Sequence, residues 1–285
     1  MSRQCIFTLL LLTFNIALYA QDPDTLWSRT YGGDIGDFGY SIQQTSDGGY
    51  IIAGFTSSFG CYGFDVYLIK TDAYGDTIWT NTLGWSHSEG AEAVEQTPDG
   101  GYLISGYIDV SKCEENIYLV KVDANGDSVW AKDYAFGDFD RGYSIKRIPD
   151  GGYIITGIAH YDTYLMKIDE YGDTLWVKFI GGAPSDWGNS VELTSDRGFI
   201  VAGTMFRNYH HDMYVVKTDS IGEVQWTKYY GGSDDDQAYS IQQTSDGGYV
   251  ITGYTLSYGS GRGDIYLVKI DADGDTIWTR TYGKV

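Results

Sequence analysis

The stretch "TSDGGYIIAGFTSS" at residues 45–58 decides the fold, because the chain contains four close variants of it. They are "TPDGGYLISGYIDV" (97–110), "IPDGGYIITGIAHY" (148–161), "TSDRGFIVAGTMFR" (194–207) and "TSDGGYVITGYTLS" (244–257). Most copies begin with an Asp-Gly turn of the kind favoured in tight hairpins, and every copy continues into a run of β-branched and aromatic residues typical of strands. A stretch repeated in this way indicates one array of similar structural units.

A tryptophan repeats along the chain with the same period, at spacings of 52, 51, 46, 50 and 52 residues. In the first unit the four segments "YSIQQT", "YIIAGFT", "DVYLIKTD" and "DTIWTNTL" read as four antiparallel strands joined by turns. Units of four strands and about fifty residues, without helical periodicity, predict an all-β protein and a β-propeller with five blades. The units cover about residues 39–83, 91–134, 142–180, 189–230 and 239–282. The tryptophans are Trp27, Trp79, Trp130, Trp176, Trp226 and Trp278.

The tryptophan segment at residues 24–31 precedes the first complete unit, so the fourth strand of the pattern occurs six times and the other three occur five times. We expect residues 21–285 to form one propeller domain. Within it, residues 24–31 either add a surplus edge strand, or the chain is a fragment of a larger ring. A five-bladed ring is the interpretation that we favour.

The repeated residues resemble a known family. The stretches "DVYLIKTDAYGDTIWTNTLG" (65–84) and "DGGYLISGYI" (99–108) are similar to the secreted β-propeller repeats of bacteria, and the likeness covers nearly all of residues 24–283. The spacing of Asp72, Gly75 and Trp79 is also similar to the tryptophan-docking turn of quinoprotein dehydrogenase propellers. No quinone-binding or metal-binding residues of those enzymes can be matched here, so the resemblance implies the fold and no redox activity.

The first twenty residues have the pattern of a secretory signal peptide: Arg3, a short apolar run, and a small residue at Ala20. Cleavage near Ala20 predicts a protein that is secreted, periplasmic or attached to the cell surface, without membrane insertion. The chain carries 39 acidic and 19 basic side chains, for a net charge of −20. Such a charge disfavours nucleic acid as a partner, because binding to phosphates requires clustered Lys and Arg.

Residues that recur in every unit are expected to build the scaffold, and residues that occur once are free to form a site. Lys70 and Asp72 recur as a pair in all five units, which indicates an ion pair at a turn. The loops between the second and third strands, and between units, vary and lie at one end of the predicted propeller, where we expect function. Aromatic, histidine and carboxylate side chains in these loops are typical of carbohydrate or protein-surface binding. The candidate ligand-binding residues are Trp85, Trp187, Tyr161, Tyr209, His210 and Asp212.

Two alternatives to a binding function remain open from the sequence. A polysaccharide hydrolase or lyase requires converging carboxylates, for which Glu95 and Glu192 are the symmetric candidates. A structural surface module requires no site.

No cofactor is expected, although Asp234, Asp235 and Asp236 are candidates for calcium binding. Cys61 and Cys113 occupy equivalent loops of neighbouring units and either form a disulfide or remain free.

Overall fold

A computed structural model of the chain describes residues 25–60, 63–84, 87–111, 114–182, 185–260 and 263–283. Residues 1–20, Trp85, Cys61 and Cys113 lie outside these ranges, so the leader, the disulfide and one candidate site residue are predictions without a structural counterpart. The described residues contain twenty strands and no helix, and therefore no helix that could cross a bilayer.

The twenty strands form five antiparallel sheets of four strands, each arranged in chain order. We call these sheets blades 1 to 5. The strands of blade 1 are β1 (Asp37–Gln44), β2 (Tyr50–Thr56), β3 (Asp65–Thr71) and β4 (Thr77–Leu83); of blade 2, β5 (Glu89–Gln96), β6 (Tyr102–Ser111), β7 (Glu114–Val122) and β8 (Ser128–Tyr134); of blade 3, β9 (Arg141–Arg147), β10 (Tyr153–Ala159), β11 (Asp162–Ile168) and β12 (Thr174–Ile180); of blade 4, β13 (Asp186–Leu193), β14 (Phe199–Arg207), β15 (His210–Thr218) and β16 (Val224–Tyr230); of blade 5, β17 (Asp236–Gln243), β18 (Tyr249–Thr255), β19 (Asp264–Ile270) and β20 (Thr276–Tyr282).

The predicted propeller of five four-stranded blades is confirmed. The first strand of each blade packs against the first strand of the next, which places β1, β5, β9, β13 and β17 along the inner edge. Each blade also packs face to face against its successor, and the four junctions hold the apolar cores. The middle strands are buried on both faces, which explains why their sequences are continuous apolar runs rather than alternating ones.

The repeating tryptophan joins each blade to the next. The ring of Trp79 on β4 covers Gly126 in the last turn of blade 2, where an added Cβ would lie 2.9 Å from the ring. Its Nε1 donates to the carbonyl of Ala124 at 3.2 Å, and its ring meets the edge of Tyr102 at a centroid distance of 6.0 Å. Gly126 has φ of 88°, a conformation that glycine adopts without strain. Two constraints therefore require glycine at this position: the positive φ of the turn and the close approach of the tryptophan ring.

The recurring lysine has a different partner from the one expected. Lys70 does not pair with Asp72; its Nζ lies 2.9 Å from the carboxylate of Asp47 in the Asp-Gly-Gly turn. Asp72 instead accepts the backbone N–H groups of Tyr74 and Asp76 within its own turn. Hydrogen bonds from Thr45 and Lys70 hold the pKa of Asp47 at about 2. Equivalent ion pairs at blades 2, 4 and 5 identify this lysine as part of the scaffold.

Glycine in the middle of each second strand admits a neighbouring strand rather than the tryptophan ring. A Cβ at Gly54 would lie 1.8 Å from the carbonyl oxygen of Phe38 in β1. The register of β1 against β2 shifts at this point, so that Tyr40 forms a β-bulge. All five first strands carry a bulge at the equivalent residue. A bulge redirects one side chain, and this one lies on the inner edge of every blade.

Residues 25–31 do not form the extra strand that the sequence led us to expect, yet they dock as a fourth strand docks. Trp27 covers Gly75 of blade 1, and its ring lies 5.9 Å from that of Tyr50. Arg29 pairs with Asp76 at 3.0 Å, and the hydroxyl of Tyr31 donates to the carbonyl of Gly75 at 2.7 Å. This segment therefore occupies the position of the last strand of a preceding blade.

We expect Trp226→Ala to lower the free energy of unfolding by about 3 kcal/mol, because the ring packs in the apolar core between blades 4 and 5. Trp278→Ala is the matched control, since Trp278 has the same place in the repeat but no following blade within the chain. It should cost less than about 1 kcal/mol. Denaturant unfolding of dilute protein measures both, and equal losses would contradict the docking role.

Candidate functional site

The variable loops lie together at one end of the blades. The backbone N–H of Asp186, at the start of blade 4, donates to the carbonyl of Tyr161 in the loop of blade 3 at 2.8 Å. The N–H of Glu89 makes the same contact with Phe64, and the N–H of His211 donates to the carboxylate of Asp235 at 2.7 Å. In blades 1, 3 and 4, the loop between the second and third strands is thus tied to the loop that enters the next blade. Together they form one continuous surface, which we call the loop face.

Two of these loops are tight hairpins of two residues with unusual backbone conformations. In blade 4, Asn208 and Tyr209 have φ of 50° and 70°, and in blade 3, His160 and Tyr161 have φ of 52° and 65°. Two consecutive residues with positive φ make the hairpin turn that matches the twist of the strands. A tyrosine in this conformation is uncommon and strained. The turn of blade 4 directs Tyr209 into solvent, where it is 97% exposed.

A cavity of about 250 Å³ lies beside the hairpin of blade 4. His210 Nε2 is 3.3 Å from the Asp212 carboxylate, and Arg207 Nε is 3.5 Å from its other oxygen. The Arg207 guanidinium also lies over the ring of Tyr229 at 4.3 Å from its centre. Burial raises the pKa of Asp212, while His210 and Arg207 oppose that rise. We call this the blade 4 cavity; its lining is Arg207, Asn208, His210, Asp212, Tyr229, Tyr230, Gly231 and Gly232.

The structure divides the candidate ligand-binding residues between two sides of β15. His210 and Asp212 alternate with His211, so they face the cavity while His211 faces away. His211 instead packs against Trp187, with ring centres 5.4 Å apart, and against Phe206. Trp187 therefore lies near His210 and Asp212 in the fold, but on the opposite side of β15 from the cavity. Tyr161 belongs to the neighbouring hairpin of blade 3.

Two of the three calcium candidates, Asp235 and Asp236, accept hydrogen bonds from groups within the protein. Asp235 accepts from the backbone and the ring of His211, and the backbone bond lowers the pKa of this carboxyl. Asp236 accepts from Gly232 and Ser257 at 2.8 and 2.7 Å. Within the described ranges, no group of three or more His, Cys, Asp or Glu side chains is arranged to hold a metal ion.

The two carboxylates proposed for hydrolysis lie on the inner edge and have partners there. Glu192 pairs with Lys146 at 2.7 Å, and Glu95 accepts from Gln43 Nε2 at 3.0 Å. Burial raises the pKa of Glu95, with Lys146 opposing the rise. Both carboxylates are thus engaged with side chains of neighbouring blades, Glu192 with Lys146 and Glu95 with Gln43.

A second cluster between blades 2 and 3 was missed from the sequence. Arg141 on β9 makes a two-point ion pair with Glu115, and its guanidinium lies 3.9 Å from the centre of the Tyr107 ring. Glu92, the bulged residue of β5, lies 3.9 Å from Arg141. Burial raises the pKa of Glu92 to about 7, and Arg141 only partly opposes this. The available signal was positional: the other blades carry Tyr or Asn at this point of the repeat.

Comparison with known proteins supports the fold at low sequence identity. The Neurospora crassa Pan2 WD40 domain aligns with 86% of this chain at a TM-score of 0.58 and 11% identity, and this chain spans 66% of that domain. A Lactobacillus plantarum protein gives 0.56 at 11% identity, over 86% of this chain and 71% of that one. A Dyadobacter fermentans protein of unknown function gives 0.55 at 13%, over 79% and 74%. No family model and no curated protein sequence matches.

Glu92 provides a test of the second cluster. In the folded protein the pKa of the Glu92 carboxyl is raised to about 7. The folded protein therefore loses stability as the pH rises from the pKa of the carboxyl in the unfolded chain through 7. Glu92→Gln should therefore be more stable than the original protein by about 2 kcal/mol near pH 8, and the gain should vanish near pH 4.

The control for this prediction is Glu192→Gln, which removes the carboxylate that pairs with Lys146 and should give no gain at high pH. Denaturant unfolding at the two pH values measures both variants. A Glu92→Gln protein that is no more stable than the original near pH 8 would show that the carboxyl is not desolvated.

Proposed function

We propose that the protein is an exported, non-catalytic propeller that binds a neutral glycan in the blade 4 cavity. The observation that carries the proposal is the cavity itself: about 250 Å³ of space lined by an arginine, a histidine, an aspartate and a tyrosine ring. Export rests on the signal-peptide pattern of residues 1–20. Membership among the secreted bacterial propeller repeats rests on the repeated motif, and is part of the same proposal.

The chemistry of the lining suits sugar hydroxyl groups, which both donate and accept hydrogen bonds. Asp212 can accept and Arg207 can donate, while His210 lies between Asp212 and the loop backbone and positions the carboxylate. His210 Nδ1 lies 3.1 Å from the carbonyl of Asn208, which orients the imidazole. Tyr209 stands at the rim with both faces of its ring free to lie against the apolar side of a sugar ring.

The shape of the site favours a glycan over a protein surface. A stable protein interface buries about 800 Å² on each partner, while this cavity holds only one or two sugar rings. The Asp212 carboxylate within it already has a counter-charge, because it lies 3.5 Å from Arg207 Nε. With a net charge of −20, the whole protein repels polyanions. These features together select an uncharged polysaccharide.

Hydrolysis of a polysaccharide is a second candidate, favoured by Glu92 rather than by Glu95 or Glu192. A glycosidase requires a carboxyl that still holds its proton at neutral pH to protonate the leaving oxygen. Glu92 has a pKa of about 7 and lies on the inner edge of blade 2, beside the carboxylate of Glu115. If the protein releases reducing ends from a polysaccharide and the Glu92→Gln variant does not, hydrolysis replaces the non-catalytic proposal.

The proposed site is tested by screening the protein against an array of neutral and charged glycans and measuring the affinity for the best ligand. We expect Tyr209→Ala and His210→Ala to weaken binding at least about tenfold, which corresponds to 1.4 kcal/mol. Tyr171→Ala is the matched control, since this tyrosine is also exposed but lies in a turn at the other end of the blades. Unchanged affinity in both site variants, or an equal loss in Tyr171→Ala, would refute the site.

A further inference from the structure

We propose that this protein assembles head to tail, with blade 5 of one copy docking on blade 1 of a second copy. Each blade has a trailing face, which packs on the next blade, and a leading face, which receives the previous one. Four junctions inside the chain use these faces in the same way. The trailing face of blade 5 and the leading face of blade 1 are left over, and strand packing like that of the four junctions does not join β17–β20 to β1–β4.

The junction of blades 4 and 5 shows what such a contact buries. The trailing face of blade 4 presents Ile200, Ala202, Met213 and Val215, all fully buried. They pack on the leading face of blade 5, which includes Ile241, Tyr249 and Ile251. A polar contact accompanies the core, since the backbone N–H of Ile241 donates to the hydroxyl of Ser190 at 3.3 Å.

The trailing face of blade 5 has residues of the same kind at the same places of the repeat. They are Val250, Thr252, Ile265 and Leu267. Ile265 is 57% exposed, whereas its counterpart Met213 in blade 4 is fully buried. An open cavity of about 380 Å³ lies on this face, against Thr252, Tyr254 and Ile265. The face is therefore built as a blade interface but is not covered by a blade.

The leading face of blade 1 is the complement. Ile42 is 63% exposed, while Ile241 at the same place in blade 5 is 1% exposed. Ile52, Tyr67 and Ile69 line a small open pocket on this face. In the proposed contact, the backbone N–H of Ile42 would donate to the hydroxyl of Ser240 from the other copy, as Ile241 does to Ser190.

The two ends of the chain carry nearly the same docking segment. "DTLWSRTYG" at residues 24–32 and "DTIWTRTYG" at residues 275–283 differ at two positions. The first segment already occupies the turn of blade 1 through Trp27, Arg29 and Tyr31. The second is β20, whose residues are all exposed. We infer that in the assembly β20 of one copy replaces residues 25–31 on blade 1 of the next.

A second copy fits these faces better than any other occupant. It extends an interface that the chain already forms four times, between faces that share the repeat. Because the two faces differ, the contact is heterologous, and a heterologous contact propagates into closed rings or open filaments. The net charge of −20 opposes association, so added salt should strengthen it.

Sedimentation velocity of the purified protein, from about 1 µM to about 1 mM in about 0.15 M salt, tests the proposal. We expect dimers and larger species that increase with concentration. Ile265→Asp should raise the dissociation constant at least about tenfold. Leu175→Asp is the matched control: Leu175 is 56% exposed, but its counterparts in the other blades are exposed as well, so association should be unchanged.

A pair of tryptophan variants distinguishes the exchange of residues 25–31 for β20 from non-specific association. Trp278→Ala should weaken association, because β20 loses its docking ring. Trp27→Ala should strengthen it, because the segment that competes for the turn of blade 1 is weakened. A monomer at all concentrations, including one in which blade 5 closes on blade 1 of its own chain, would overturn the proposal. So would loss of association in Trp27→Ala and Trp278→Ala alike.

Discussion

The contact between a tryptophan ring and a glycine turn in the next blade organises the whole molecule. A single four-stranded sheet of this size cannot bury both of its apolar faces, so each blade depends on its neighbours. The tryptophan sets the distance and register of that contact, because it fills the space above a glycine that already needs positive φ. Two contacts of the residues after the tryptophan on the same strand add to this. On β16, Lys228 pairs with Asp275 and the hydroxyl of Tyr230 donates to the carbonyl of Gly274, which fixes the last strand of blade 4 against blade 5.

The same contact explains where the molecule is free to vary. The blades share a tryptophan, a glycine turn that receives the ring of the preceding segment and, in blades 1, 2, 4 and 5, a lysine that binds the aspartate of the first hairpin turn, so one end of the blades is nearly invariant. The loops at the other end carry none of these tasks. These loops and the strand ends next to them hold the strained hairpin of Asn208 and Tyr209, the blade 4 cavity and the cluster around Arg141. Scaffold and candidate sites are thus separated along the strands of every blade.

Much of the fold could be predicted from the sequence, since repeated turns and strand runs carry most of the signal. The number of blades, the strand order and the scaffold role of the lysine all follow from recurrence. The partner of Lys70 did not, because Asp47 and Asp72 recur with equal regularity and only the three-dimensional hairpin decides between them. Glu92 was missed because the β-bulge that redirects it is a feature of the backbone, although the repeat marks the position by a carboxylate where the other blades carry Tyr or Asn.

The candidate ligand-binding residues were predicted in part. His210 and Asp212 do lie together, because residues two apart in a strand share a face. Trp187 lies behind that strand against His211, which composition of the loops alone could not indicate. Arg207 and Tyr229 were not predicted at all. They come from the ends of different strands, and their stacking is a tertiary contact without a counterpart in the linear pattern.

The most direct test of the central contact compares two glycine substitutions within blade 2. Gly126 and Gly100 have φ of 88° and 84°, so Gly126→Ala and Gly100→Ala impose similar backbone strain. Only at Gly126 would the new Cβ collide with the ring of Trp79, at 2.9 Å; at Gly100 the nearest atom is 4.0 Å away. We expect Gly126→Ala to cost about 1–3 kcal/mol more in the free energy of unfolding. Equal losses would show that the tryptophan does not set the packing of the blades.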